Sequence, residues 1–225
     1  SQYMVKLAGQ YNYAIDPTYQ EITLKEEETF AVYLSLNEIS RMYYYKFENQ
    51  DKRLAREKLR DMFVIGCLTG LRYSDYSTLS EDNLRDGYLE KRTKKTNITV
   101  RIPIHDYVKE IFYKYDGKVP HEYNIQYFNN YLKVISQQIG FNDKFTFSYT
   151  EGGELKTVTK EKWQLISSHT ARRSAITNMY LSGRFKLYEI MQFSGHRTES
   201  SALRYIRVGL EDVSRKMAGD IFFKK

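Results

Sequence analysis

This sequence predicts a mainly α-helical domain carrying a small antiparallel β-sheet, on three observations. Apolar residues recur at helical spacing along most of the chain, and two short stretches alternate apolar with polar residues. Turn signals, Asp86-Gly87 and Glu151-Gly152-Gly153, sit where chain reversals are needed. The 225 residues suffice for one large domain with a short arm.

The elements follow in order. Residues 1–30 show weak periodicity (Tyr3, Tyr11, Tyr13, Tyr19) and an acidic patch at Glu26, Glu27 and Glu28, which reads as an N-terminal arm or linker. The organised domain is expected over 31–225. Ser35 and Glu38 have capping-box spacing before Ile39, Met42 and Tyr43, so a helix starts there. Asp51 opens a second helix, whose apolar positions Leu54, Leu59, Phe63 and Val64 lead to a stop at Gly70. Ser74 is expected to cap a short helix running to Leu79. Beyond the Asp86-Gly87 turn, Ile98, Val100 and Ile102 alternate with polar residues up to Pro103, a strand pattern. Helices are expected at 105–115 and 124–139. Phe145, Phe147 and Tyr149 then lead into a second hairpin at Glu151-Gly152-Gly153. The stretch 170–216 is helical again, broken at Gly183 and Gly195.

Composition narrows the function. Hydrophobic residues make up 41% of the chain, enough for a sizeable core, and charged residues 28%. The longest apolar run, Met62 to Leu68, is too short to span a bilayer, and no signal peptide is visible. One cysteine, Cys67, lies in an apolar segment and reads as a buried core thiol, which suits a reducing cytoplasm. Lys and Arg exceed Asp and Glu by seven, a balance suited to a polyanion such as nucleic acid. Tyr (21) and Phe (12) are frequent, and most are expected in the core.

Four segments carry candidate chemistry. Thr69-Gly70-Leu71-Arg72-Tyr73-Ser74-Asp75 puts an arginine on a tight turn feeding a helix. Lys95-Thr96 lies in a loop leading to the strand that ends at Pro103. His169 and Arg172 are three residues apart, on one face of a helical turn. Gly195-His196 precedes Tyr205 by nine residues. A phosphodiester under attack builds charge on its non-bridging oxygens. Without a metal, stabilising that charge takes fixed cations, and an arginine fork suits two phosphate oxygens. The attack also needs a nucleophile, and the departing oxygen needs a proton. Neither a Gly-rich phosphate loop nor a carboxylate or His/Cys metal cluster is present in the sequence.

In order and spacing these segments resemble the active-site boxes of the tyrosine recombinases, the lambda-type integrases, over about residues 35–215. The stretches Ser167-Ser168-His169-Thr170-Ala171-Arg172-Arg173-Ser174 and Gly195-His196-Arg197-Thr198-Glu199 look most like integrases of conjugative and mobilisable transposons. The resemblance implies that Arg72 and Arg172 clamp the scissile phosphate, while His169 and His196 donate to it and manage protons. Lys95 protonates the leaving 5′ oxygen and Tyr205 attacks, giving a 3′-phosphotyrosyl link. Asp75 supports the first arginine from behind. Lys94 is the alternative proton donor, and with Arg173 and Arg197 it is a candidate DNA contact; Arg173 stands where many relatives have histidine. No metal, ATP or other cofactor is implied.

The resemblance also implies double-stranded DNA at attachment sites as the partner. The protein is expected to be a monomer when free and a tetramer in synapsis, cytoplasmic at the bacterial nucleoid, with no membrane. Residues 1–30 would be the remnant of a separate DNA-clamping domain, so this chain alone is expected to bind DNA weakly. Val213, Met217, Ile221 and Phe222 give the tail an apolar spacing that fits packing either on a neighbouring protomer or on its own domain. Other readings of the same boxes are a type IB topoisomerase and a non-catalytic DNA-binding module.

Overall fold

The structure is a computed structural model that describes residues 10–11, 30–48, 50–120, 123–206, 214 and 217–218. The first helix, α1 (Leu36–Tyr44), opens on the capping box read from the sequence. The Glu38 N–H donates to Ser35 Oγ, and the Ser35 N–H donates to Glu38 Oε2. The long helix α2 (Gln50–Thr69) follows, burying Leu59, Met62, Phe63, Val64, Ile65 and Cys67. Leu54, expected on its core face, is exposed because only the C-terminal part of this helix runs through the interior. The short α3 (Tyr73–Tyr76) starts at Arg72, whose extended backbone is the N-cap, so the expected Ser74 cap and run to Leu79 give way to a single turn.

Three antiparallel strands come next, β1 (Leu84–Arg85), β2 (Tyr88–Arg92) and β3 (Thr99–Pro103), with Leu89 paired to Leu84 and Ile102. Leu89, Val100 and Ile102 turn one face of the sheet inward, as period-two alternation requires. Helix α4 (Asp106–Lys114) is capped by His105, and α5 (Ile125–Ile139) by Asn124. A hairpin of β4 (Lys144–Glu151) and β5 (Glu154–Glu161) turns at Gly152-Gly153. The chain then runs through α6 (Lys162–Leu165), α7 (Ser168–Ser182), α8 (Leu187–Ser194) and α9 (Glu199–Leu203). Gly183 and Gly195 end α7 and α8 as expected.

The described residues within 31–148 and 157–206 form one compact unit, to which all the candidate site residues belong; the hairpin tip Tyr149–Lys156 falls in a second unit. In the larger unit α2 packs along α7, and residues 32–34 are tied to α7 by side chains. Ser174 Oγ accepts from the Leu34 N–H, Asn178 Nδ2 donates to Leu34 O, and Arg173 NH1 donates to Val32 O. Cys67 is buried in this core.

The expectation that most aromatics are core residues holds better for phenylalanine than for tyrosine. Phe47, Phe63, Phe112, Phe128 and Phe141 are buried, but among the described tyrosines only Tyr76 is. The phenol oxygen keeps the others at the boundary with water. Among the described residues no helix is long and apolar enough to cross a membrane. The N-terminal expectations, Tyr11 apart, and the tail positions Val213, Ile221 and Phe222 lie outside the described residues, whereas Met217 is helical and half exposed.

Candidate active site

Helix α7 carries the centre of the site. Arg172, three residues beyond His169, points inward and is 1% exposed. Its guanidinium is held from two sides. NH1 donates to the carbonyl of Gly70 at 2.7 Å, and NH2 lies 2.9 Å from His196 Nε2. The Gly70 carbonyl is available because α2 ends there in a left-handed turn, φ +63°. A side chain at that position would also meet Phe193 Cε1 at 2.5 Å, so both the backbone and the packing call for glycine. The same turn delivers Arg72 two residues later. Arg72 is half-buried, and its NH1 is enclosed without a hydrogen-bond partner, as is Nε of Arg172.

His196 follows the left-handed Gly195 that ends α8. Ser194 Oγ donates to Ile190 O at 2.6 Å, so its hydroxyl hydrogen is committed and it accepts from His196 Nδ1 at 2.7 Å. That arrangement assigns the proton to Nδ1 and leaves Nε2 to accept from Arg172. Burial, then Arg172 and Arg72, push the His196 pKa down to about 3, so the ring is neutral at neutral pH. The Arg172 pKa is itself drawn down to about 10, first by burial and then by Arg72, with Tyr205 and Asp75 acting in the opposite direction.

Tyr205 completes the group. Its ring centroid is 5.0 Å from that of His196, and Arg172 Cζ lies 5.2 Å from its centre. Its backbone is pinned by Thr177 Oγ1, which donates to Tyr205 O. The tyrosine is therefore docked beside Arg172. His169 is exposed, yet enough of the domain surrounds it that desolvation is the first cause lowering its pKa. Arg173, Arg172, Arg72 and Lys95 follow in that order. Each of the six residues singled out from the sequence thus has at least one of the others within contact or electrostatic reach, with Arg172 linked to Arg72, His169, His196 and Tyr205 and Lys95 linked through His169.

Lys94 and Lys95 are exposed on the turn between β2 and β3. Asp75 is fully buried and accepts the Lys94 N–H at 2.8 Å through Oδ1, so its described bond secures the lysine turn. Arg173 and Arg197, read as DNA contacts, both have protein partners here: Val32 O for Arg173 and Thr96 O for Arg197, the latter at 2.6 Å. Sequence reasoning missed Ser194, whose role shows only once α8 brings its hydroxyl beneath the imidazole. A serine two residues before a candidate histidine is a weak signal.

No family model and no curated protein matches the chain. Solved structures do. The crystal structure of XerA recombinase superposes at TM-score 0.58 with 14% identity, covering 94% of this chain and 70% of that one. A lambda integrase dimer bound to a COC′ core site gives 0.60 and 15%, covering 90% and 69%. The Tn1549 transposon integrase in complex with transposon right end DNA gives 0.56 and 12%, covering 95% and 74%. The chain spans about half to three quarters of the length of these and related solved recombinases. At such identities the likeness is one of architecture: this chain has the catalytic-domain fold of the tyrosine recombinases.

Proposed function

We propose that this chain is the catalytic domain of a site-specific DNA recombinase, an integrase that cleaves and rejoins DNA through Tyr205 to insert or excise a mobile element. The carrying observation is the packing of Arg172 between the Gly70 carbonyl, His196 and the Tyr205 ring. It puts a tyrosine beside a fixed arginine whose Nε, like Arg72 NH1, still has a donor to give.

In this reading the two arginines hold the non-bridging oxygens of the scissile phosphate. The Tyr205 oxygen attacks phosphorus, and its proton passes to His169, whose lowered pKa keeps the imidazole neutral and able to accept. The bond from phosphorus to the 5′ oxygen breaks, the electron pair stays on that oxygen, and Lys95 supplies its proton. The products are a 3′-phosphotyrosyl link and a free 5′ hydroxyl. The link conserves the bond energy, so rejoining is the same step reversed and needs neither ATP nor a divalent metal. His196 orients Arg172 until the phosphate arrives, and Asp75 steadies the lysine turn. Lys94 contacts the DNA backbone. The partners are attachment-site duplexes and further protomers, with a tetramer at synapsis, in the cytoplasm at the nucleoid.

The test uses the full-length natural chain and nicked suicide duplexes cut from the DNA flanking its own gene. A protein–DNA adduct formed in EDTA, and absent from Y205F, is the expected result. Specific binding without any adduct would leave a DNA-binding module in place of an enzyme.

A further inference from the structure

We propose that Arg197 is a positioning residue that sets where Lys95 stands, resting on the reading of Lys95 as the proton donor to the 5′ oxygen. Lys95 projects from the turn Thr93–Ile98, and its own side chain has four rotatable bonds with which to wander. Its backbone platform therefore decides which volume the ammonium can reach.

That platform is braced. Within the turn, the Thr93 N–H donates to Ile98 O, the Asn97 N–H donates to Thr93 O, and Arg92 Nε donates to Asn97 Oδ1. From outside, the residues on either side of Lys95 are each tied to a distant part of the fold. Lys94 N–H donates to Asp75. Thr96 Oγ1 donates to Gly195 O at 3.2 Å, and Thr96 O accepts from Arg197 NH2 at 2.6 Å. The Thr96 ties both run to the segment that carries His196, about a hundred residues away along the chain. A bond from a charged guanidinium to a carbonyl is stronger than one between neutral groups. Arg197 spends its charge on this carbonyl, adjacent to the lysine in sequence, which gives it a task other than gripping phosphate. The lysine turn and the histidine loop are thereby held in one register.

The experiment measures adduct formation by the full-length protein on two nicked duplexes. One has the ordinary 5′ oxygen at the cleavage point; the other has sulfur at that bridging position. A thiolate leaves without needing a proton, so loss of the acid is masked on the sulfur duplex. Wild type, K95A, R197A and T96V are compared, and the salt dependence of DNA affinity is recorded for each. R197A and T96V are expected to slow about tenfold or more on the oxygen duplex, in line with the cost of misplacing a catalytic group. On the sulfur duplex they should run at the wild-type rate, alongside K95A, with the salt slope unchanged.

If R197A is slow on both duplexes, with a salt slope reduced by about one, the residue is a phosphate contact and the proposal is overturned. Wild-type rates for R197A on the oxygen duplex overturn it as well. If K95A is not restored by sulfur, Lys95 is not the acid and Arg197 has nothing to position. Failure of the wild type itself to form an adduct on either duplex would defeat the recombinase reading independently of Arg197.

Discussion

Lowering the pH should destabilise this domain through His196. The ring is buried, its Nδ1–H donates to Ser194, and Nε2 accepts from Arg172. A second proton has no acceptor and would face Arg172 and Arg72. The imidazole pKa falls from an ordinary 6.5 to about 3 in the folded state. Above pH 6.5 the ring is neutral in both states and contributes no pH dependence. Below it the unfolded chain takes up a proton that the folded chain refuses, so stability falls with pH until the folded pKa is reached. Each pH unit is worth about 1.36 kcal/mol. Between 6.5 and 5.0 that gives about 2 kcal/mol as a ceiling, which solvent around the partly exposed site trims to about 1–2 kcal/mol. Urea unfolding of wild type and H196Q at pH 7.5, 6.5, 5.5 and 5.0 isolates the effect, because His169 and the carboxylates are common to both. The stability difference between the two proteins should shrink as pH falls. A difference that stays constant across this range would refute the assignment of a neutral, acid-refusing His196.

Substitutions at three positions probe the supports of the site. In G70A the left-handed backbone costs about 1 kcal/mol, and the new methyl against Phe193 adds about 1–3 kcal/mol of overpacking. Urea unfolding should therefore show a loss of about 2–4 kcal/mol, with slower adduct formation because the Gly70 carbonyl no longer anchors Arg172. In S194A the buried Nδ1–H of His196 loses its acceptor, at a cost of about 1–3 kcal/mol measured in the same way. Single-turnover cleavage should slow as well, and unchanged stability would exclude the tautomer given above. D75A should release the lysine turn and slow cleavage at least tenfold by gel assay, with far-UV circular dichroism unchanged. D75N keeps an oxygen for the Lys94 N–H and should fall between D75A and wild type.

What the sequence made legible were features with local causes. The Ser35–Glu38 box, the left-handed stops at Gly183 and Gly195, and the Gly152-Gly153 hairpin each depend on a few neighbouring residues, and each was found where expected. The proximity of Arg172, His196 and Tyr205 was legible because spacing along the chain, matched to known boxes, carries geometry with it. Misreadings arose where a distant partner decides. Ser74 looks like a cap, but the turn at Gly70 hands that position to Arg72. Leu54 has core periodicity on a helix whose first turns face water. The bond from the Lys94 N–H to Asp75, nineteen residues apart, had no local signal either. Nothing local in Arg197 announces a carbonyl a hundred residues earlier.

The paired arginines have a further consequence. Arg72 stands close enough to Arg172 to disfavour its charge, and both arginines still hold an enclosed N–H without a partner. Folding thus performs in advance the work of bringing like charges together, work a flexible surface would have to do when it met its ligand. An anion seated between them would relieve that repulsion. Anion binding and cohesion of the core therefore share one free energy: inorganic sulfate or phosphate seated between the arginines should raise the melting temperature.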